Sequence, residues 1–284
     1  MSSLRASTAL AIAASAIAWP CAVRGQAPRI VTVTAYDYRF EAPARIPAGM
    51  ITFRMENRGK ELHHLWIVKL TAHKTPDDFT KAMRAWGTAL KMPSWAIDVG
   101  GPNSASAGTT AEGTMTLDAG TYMLVCWVPS PDGMLHVMKG MTKPITVTGR
   151  IATEAAVEPV ADIDMLLDDY TFELSKPITP GRHVIRVENR AAQTHEVVIA
   201  RLNPGQSVIT ALTWINDGQS GVGPTVLGGA SGLAKGRHMF ITVDFAPGRY
   251  ALYCVIPDAK DGKPHTSHGM LKELTVGKDA TNDF

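Results

Sequence analysis

Residues 120–141 read GTYMLVCWVPSPDGMLHVMKGM. Thr121–Val128 has the make-up of a β-strand, and a Pro- and Gly-rich loop follows before the chain returns in Pro144–Val147. Side chains alternate faces along a strand, so Tyr122, Leu124 and Cys126 share one side, which the apolar pattern assigns to the core. Cys126, His136 and Met141 then stand together at the mouth of the loop. A thiolate, an imidazole and a thioether are a donor set that suits copper.

The same stretch recurs at residues 248–270 as GRYALYCVIPDAKDGKPHTSHGM, giving Cys254, His265 and Met270. The repetition extends well beyond the loop. Tyr38-Arg39-Phe40-Glu41 is echoed by Tyr170-Thr171-Phe172-Glu173, and Glu56-Asn57-Arg58 by Glu188-Asn189-Arg190. His63 falls on His195 at the same offset of 132. Register kept through two halves in this way marks a tandem duplication.

Length agrees with two ordinary domains in 284 residues. The first 23 residues carry one charge, Arg5, before an Ala-rich run to Val23. That pattern predicts a secretory signal over residues 1–25 and a periplasmic or extracellular protein. Without those residues the chain holds 26 basic and 26 acidic side chains. A neutral balance argues against nucleic acid or an anionic membrane as partner, and membrane insertion after cleavage is not expected. Two cysteines then remain in an oxidising setting. They either pair with each other or act singly.

Each half is predominantly β. In the first, Ile30–Ala35, Met50–Glu56, Leu62–Lys69, Gly113–Leu117, Thr121–Val128 and Lys143–Thr148 are alternating or β-branched runs bounded by Gly, Pro and Asn. Such spacing predicts an all-β protein of two tandem Greek-key sandwiches, residues 28–150 and 157–284, with the linker at Arg150–Pro159. One short helix interrupts each half. Thr75-Pro76-Asp77-Asp78 opens a helix to about Leu90, and Gln206–Asn216 is its counterpart. Gly100-Gly101-Pro102-Asn103 and Gly228-Gly229 are expected to be turns.

Trigonal copper sites take two imidazoles and a thiolate with a distant axial thioether. The second imidazole must come from another strand, and His63, with its repeat partner His195, is the candidate. Gly-x-Tyr-x-Leu-x-Cys, the downstream His-x4-Met and a His after an Asn-containing turn resemble the cupredoxin (plastocyanin-like) family, over essentially the whole chain after the signal. His136-Val-Met-Lys-Gly140-Met141 is similar to the ligand loop of copper nitrite reductases. The resemblance implies type 1 copper at His63, Cys126, His136 and Met141, and again at His195, Cys254, His265 and Met270, one or two ions per chain. His268 is a second-ranked alternative to His265.

Copper enzymes with tandem cupredoxin domains need further ligands, as His-x-His pairs or a His beside the Cys. Here Val125 and Trp127 flank Cys126, and Tyr253 and Val255 flank Cys254. The expected function is therefore single-electron transfer with a redox partner protein; an enzyme, such as a nitrite reductase or oxidase relative, would need a catalytic metal at a domain or subunit interface. Position 64 or 196, usually Asn in the small electron carriers, holds His64 or Glu196. Two other readings stay open. Met134, Met138 and Met141 suit Cu(I) in a copper chaperone that exchanges metal with a donor or acceptor. Alternatively, both cysteines are plain core in a metal-free binding protein. Met134 and Met138 are otherwise expected to pack over the site.

Overall fold

The computed structural model describes residues 27–86, 92–149 and 156–277. The expected signal segment, most of the linker and the end of the first helix lie outside the described residues. The first half contributes β1 (Arg29–Tyr36), β2 (Arg39–Glu41), β3 (Arg45–Pro47), β4 (Gly49–Asn57), β5 (Trp66–Leu70), α1 (Pro76–Trp86), β6 (Ala96–Gly100), β7 (Thr110–Leu117), β8 (Gly120–Val125) and β9 (Thr142–Thr148). The second contributes β10 (Ile163–Asp168), β11 (Thr171–Leu174), β12 (Gly181–Asn189), β13 (His195–Arg201), α2 (Val208–Asn216), β14 (Thr225–Leu233), β15 (His238–Phe245), β16 (Gly248–Tyr253) and β17 (Leu271–Val276), with a 3-10 turn at His265–His268. The protein is all-β, as the sequence predicts. Among the described residues no helix is long and apolar enough to cross a membrane.

Alternation sets the faces. In β4, Ile51, Phe53 and Met55 are buried while Arg54 and Glu56 face outward, and Arg54 pairs across the strands with Glu112 at 2.6 Å. β8 is buried on both faces. Tyr122 and Leu124 enter the main core with Cys126. Met123 and Val125 enter a smaller cluster with Val68 and with Phe79 and Met83 of α1. Burying Phe79 fully stabilises α1 against the sheet by about 2–3 kcal/mol. Thr75 caps that helix, its hydroxyl accepting from Asp78 N while Thr75 N donates to the Asp78 carboxylate. Ser207 and Thr210 form the corresponding box on α2, which begins at Val208, inside the expected start.

The halves do not sit as separate beads. Their strands merge into an eight-stranded sheet, β11-β10-β12-β15-β7-β4-β1-β2, and a nine-stranded one, β17-β16-β13-β14-β6-β5-β8-β9-β3. In the first, Gly113 faces Ile241, its own counterpart in the repeat, with Thr114 opposite Phe240 and Glu112 opposite Thr242. In the second, Pro102 bridges its counterpart Ala230. Antiparallel pairing of a segment with its own repeat is a local twofold axis, and here it runs through both sheets. The bonds obey it: Asn103 N donates to Gly229 O at 3.0 Å and Ser231 N to Gly101 O at 2.9 Å.

The expected glycine turns are instead this seam. A Cβ on Gly101 would lie 1.9 Å from Leu65 O, and one on Gly229 2.0 Å from Val197 O, with φ at +143° and +130°. Only glycine lets each seam segment approach the neighbouring backbone of its own half so closely. Two strand limits also differ from expectation. The strand expected from Leu62 begins at Trp66, and β8 ends at Val125, one residue before Cys126. Both ends give way to irregular backbone where the donor atoms gather.

Candidate metal centres

Asn57 builds the first centre from below. Its side-chain amide donates to Glu61 O and Ala105 O, both at 2.8 Å, and its Oδ1 accepts from Gly59 N. That closes the turn that delivers His63. Cys126 and the following loop are tied in register: Cys126 N donates to Met141 O, Val137 N to Cys126 O, and Met141 N to His136 O. His63 Nδ1 lies 3.0 Å from His136 Nδ1; Cys126 Sγ lies 3.4 Å from His136 Nδ1 and 4.0 Å from His63 Nδ1. A divalent ion in a trigonal plane, about 2.0 Å from nitrogen and about 2.3 Å from sulfur, needs separations of roughly 3.5–3.7 Å. The triangle is the right size. Met141 is fully buried in the same core cluster.

The outer ring nitrogens settle the protonation. His63 Nε2 is 2.8 Å from Asp37 Oδ1, and His136 Nε2 is 2.8 Å from Glu61 Oε2. A carboxylate accepts, so each ring carries its proton on Nε2 and turns a bare Nδ1 lone pair inward. Burial holds both imidazoles below the usual histidine range, and so neutral. Two lone pairs at 3.0 Å repel unless a cation stands between them. Burial also pushes the Cys126 thiol up to about 12. A bound cation reverses that penalty and takes the thiolate.

The second centre repeats the plan. His195, Cys254 and His265 converge, with Cys254 Sγ 3.3 Å from His265 Nδ1 and 4.0 Å from His195 Nδ1. His195 Nε2 meets Asp169 at 2.9 Å, and burial pushes His265 down to about 4 and the Cys254 thiol well up. Despite one extra loop residue, Thr266 N donates to Cys254 O and Met270 N to His265 O, the bonds of the first loop. His268 lies outside the triangle, stacked on Tyr170 with its Nε2 3.2 Å from Asp261. Asp258, Asp261 and His268 form a third cluster of metal-binding residue types. Its carboxylates already accept from the Lys260, Asp261 and Lys263 amides, which shape the loop.

The positions next to the first histidines have a shared duty. His64 Nε2 accepts from Trp127 N at 2.8 Å, and Glu196 Oε1 accepts from Val255 N at 3.3 Å. Each fastens the strand that carries the first histidine to the residue after the cysteine. Burial drives His64 down to about 3, so it stays a neutral acceptor. The first half also braces the second centre: Asn103 Nδ2 donates to Glu196 Oε2 at 2.9 Å, and Asp98 joins Trp66 Nε1 to the Thr194 hydroxyl. In return Gln219 accepts from Leu62 N and donates to Pro129 O around the first.

Sequence reasoning did not find Asp37, Glu61, Asp169 or Asp258. Asp37 and Asp169 precede the repeated tyrosines at the same offset of 132, a signal present but unused. Met134 and Met138 are 50% and 40% exposed. The thiols are free, and each lies against its own pair of imidazoles, so they form no disulfide.

No family model matches the chain, and no curated protein matches it by sequence. Among solved structures, it is similar to a dithionite-reduced auracyanin from Roseiflexus castenholzii, at 19% identity over 44% of this chain and 100% of that one, with a TM-score of 0.32. It is also similar to auracyanin A, a "blue" copper protein from Chloroflexus aurantiacus, at 22% identity over 43% and 99%, with a TM-score of 0.31. A copper-containing nitrite reductase from Thermus scotoductus is similar at 14% identity over 91% of this chain and 64% of that one, TM-score 0.25.

Proposed function

We propose that this is an exported copper protein of cupredoxin type that passes single electrons, with type 1 centres in both repeat halves, residues 28–150 and 157–284. One observation carries the reading. In each half a buried thiol and two imidazole nitrogens converge, and carboxylates hold the outer nitrogens of three of the four rings. His63, Cys126, His136 and Met141 would hold the metal in the first half, and His195, Cys254, His265 and Met270 in the second. Copper bound there supplies a one-electron couple.

The chain contributes the rest. Asp37, Glu61 and Asp169 fix ring orientation, and His64 and Glu196 clamp the strands, so the donors need not rearrange as charge changes. Burial of every one of those donor side chains keeps water out. The basic start and Ala-rich run of residues 1–25 support export, and a redox protein is the partner that such chemistry needs. Purified chain given Cu(II) should bind up to two ions and show an intense sulfur-to-copper charge-transfer band. The band should halve in Cys126→Ser and vanish when Cys254→Ser is added. A wild type that fills with Cu(II) yet stays colourless would overturn the reading.

A further inference from the structure

The duplicated centres differ at the second-layer contact of the second imidazole. In the first half, Glu61 receives both the His136 Nε2 proton at 2.8 Å and the Tyr38 hydroxyl at 2.7 Å. The repeat places Gln193 at the position of Glu61, 132 residues on. The Gln193 amide oxygen accepts from Ala259 N at 3.0 Å instead of from the imidazole. The second half draws its carboxylate from the loop instead: Asp258 Oδ2 accepts from Tyr170 OH at 2.5 Å and from Gln193 Nε2 at 3.0 Å. Those two donors leave it 3.8 Å from His265 Nε2, which is buried and has no hydrogen-bond partner. Ser130, which holds the matching loop position in the first half and whose N–H donates to Met134 O as Asp258 N–H donates to Lys263 O, has a buried hydroxyl without a partner. The acid has changed places between the halves, and the imidazole contact was kept in only one of them.

Apart from His64 standing where the second half has Glu196, the other contacts match. Asp37 and Asp169 hold His63 and His195 at 2.8 and 2.9 Å. Each sulfur takes a backbone N–H from the residue after the first histidine. A carboxylate stands near the second imidazole in both halves, so the difference lies in a hydrogen bond made or not made.

We infer that Glu61 is a positioning residue that distinguishes the two centres: through His136 it favours the oxidised ion in the first, and the second lacks the equivalent. A carboxylate that accepts the Nε2 proton makes the imidazole a stronger donor. A stronger donor stabilises Cu(II) more than Cu(I). The inference rests on the copper reading above, and its test separates the two.

Second-layer changes of this kind cost about 10- to 100-fold in metal affinity. In a full-length chain carrying Cys254→Ser, so that only the first centre is coloured, Glu61→Gln should weaken Cu(II) relative to Cu(I) by about tenfold. That is an upward shift of ~59 mV in a spectroelectrochemical titration. Glu61→Asp, one methylene short, should lie between. In a Cys126→Ser chain, Gln193→Glu with Asp258→Ser installs the first half's arrangement and should move the second centre down. In the metal-free chain, proton NMR should show a strongly downfield His136 Nε2–H that moves upfield in Glu61→Gln, whose amide oxygen is a weaker acceptor, and none from His265. A chain that takes up no copper defeats the copper reading, while the NMR outcome stands on its own. A coloured Glu61→Gln chain whose potential stays put, or a downfield His265 proton as strong as that of His136, overturns this inference.

Discussion

Asp98 is the buried acid whose titration should be visible in stability. It lies on β6, where its carboxylate accepts from Trp66 Nε1 at 2.8 Å and from the Thr194 hydroxyl at 3.1 Å. Trp66 belongs to the first half and Thr194 to the second, so this acid spans the seam. Burial, only partly offset by those bonds and by Arg237, pushes its carboxyl from 3.8 up to about 6. A carboxyl raised in the folded state binds its proton more tightly there than in the unfolded chain. Its contribution is therefore fully present below pH 3.8 and is lost as pH rises through about 6. A shift of roughly two pKa units corresponds to about 3 kcal/mol. Asp98→Asn keeps an acceptor for the Trp66 N–H and can donate to the Thr194 oxygen, but carries no charge. Urea unfolding of the copper-free chain at steps from pH 4 to pH 7 reads the effect directly. The variant should match the wild type near pH 4 and gain up to about 3 kcal/mol by pH 7. Parallel curves across that window would refute the claim that Asp98 is buried as a costly charge.

Two further outcomes follow from the same coordinates. Gly229→Ala places a methyl 2.0 Å from Val197 O at φ +130°, and should destabilise by about 4 kcal/mol or more in thermal unfolding. An unchanged melting temperature would mean that the β13–β14 pairing yields. His265→Ala should abolish the second centre's copper absorption in a Cys126→Ser chain, whereas His268→Ala, which loses a contact with Asp261 and a stack on Tyr170, should leave it in place. The reverse result would show that the second loop slides when metal binds.

The linear chain determined a good deal. Alternation in Gly120–Val125 placed Tyr122, Leu124 and Cys126 on one face because a strand has a period of two, and that holds whatever surrounds it. The duplication related His63 to His195 and His136 to His265, since a repeat carries register across an insertion. What the chain could not show is contact between residues far apart in sequence. Asp37 meets His63 and Glu61 meets His136 only after two sheets close over a core. Gly101 and Gly229 look like turn formers along the sequence, yet become the crossing point of two half-molecules when backbone pairs with its own repeat. A glycine pair is read locally as freedom to bend, and tertiary structure used the missing side chains for close approach. The unequal partners of His136 and His265 were equally hidden. Whether an acid lies 2.8 or 3.8 Å from a ring nitrogen depends on which neighbours claim its oxygens, and only packing decides that.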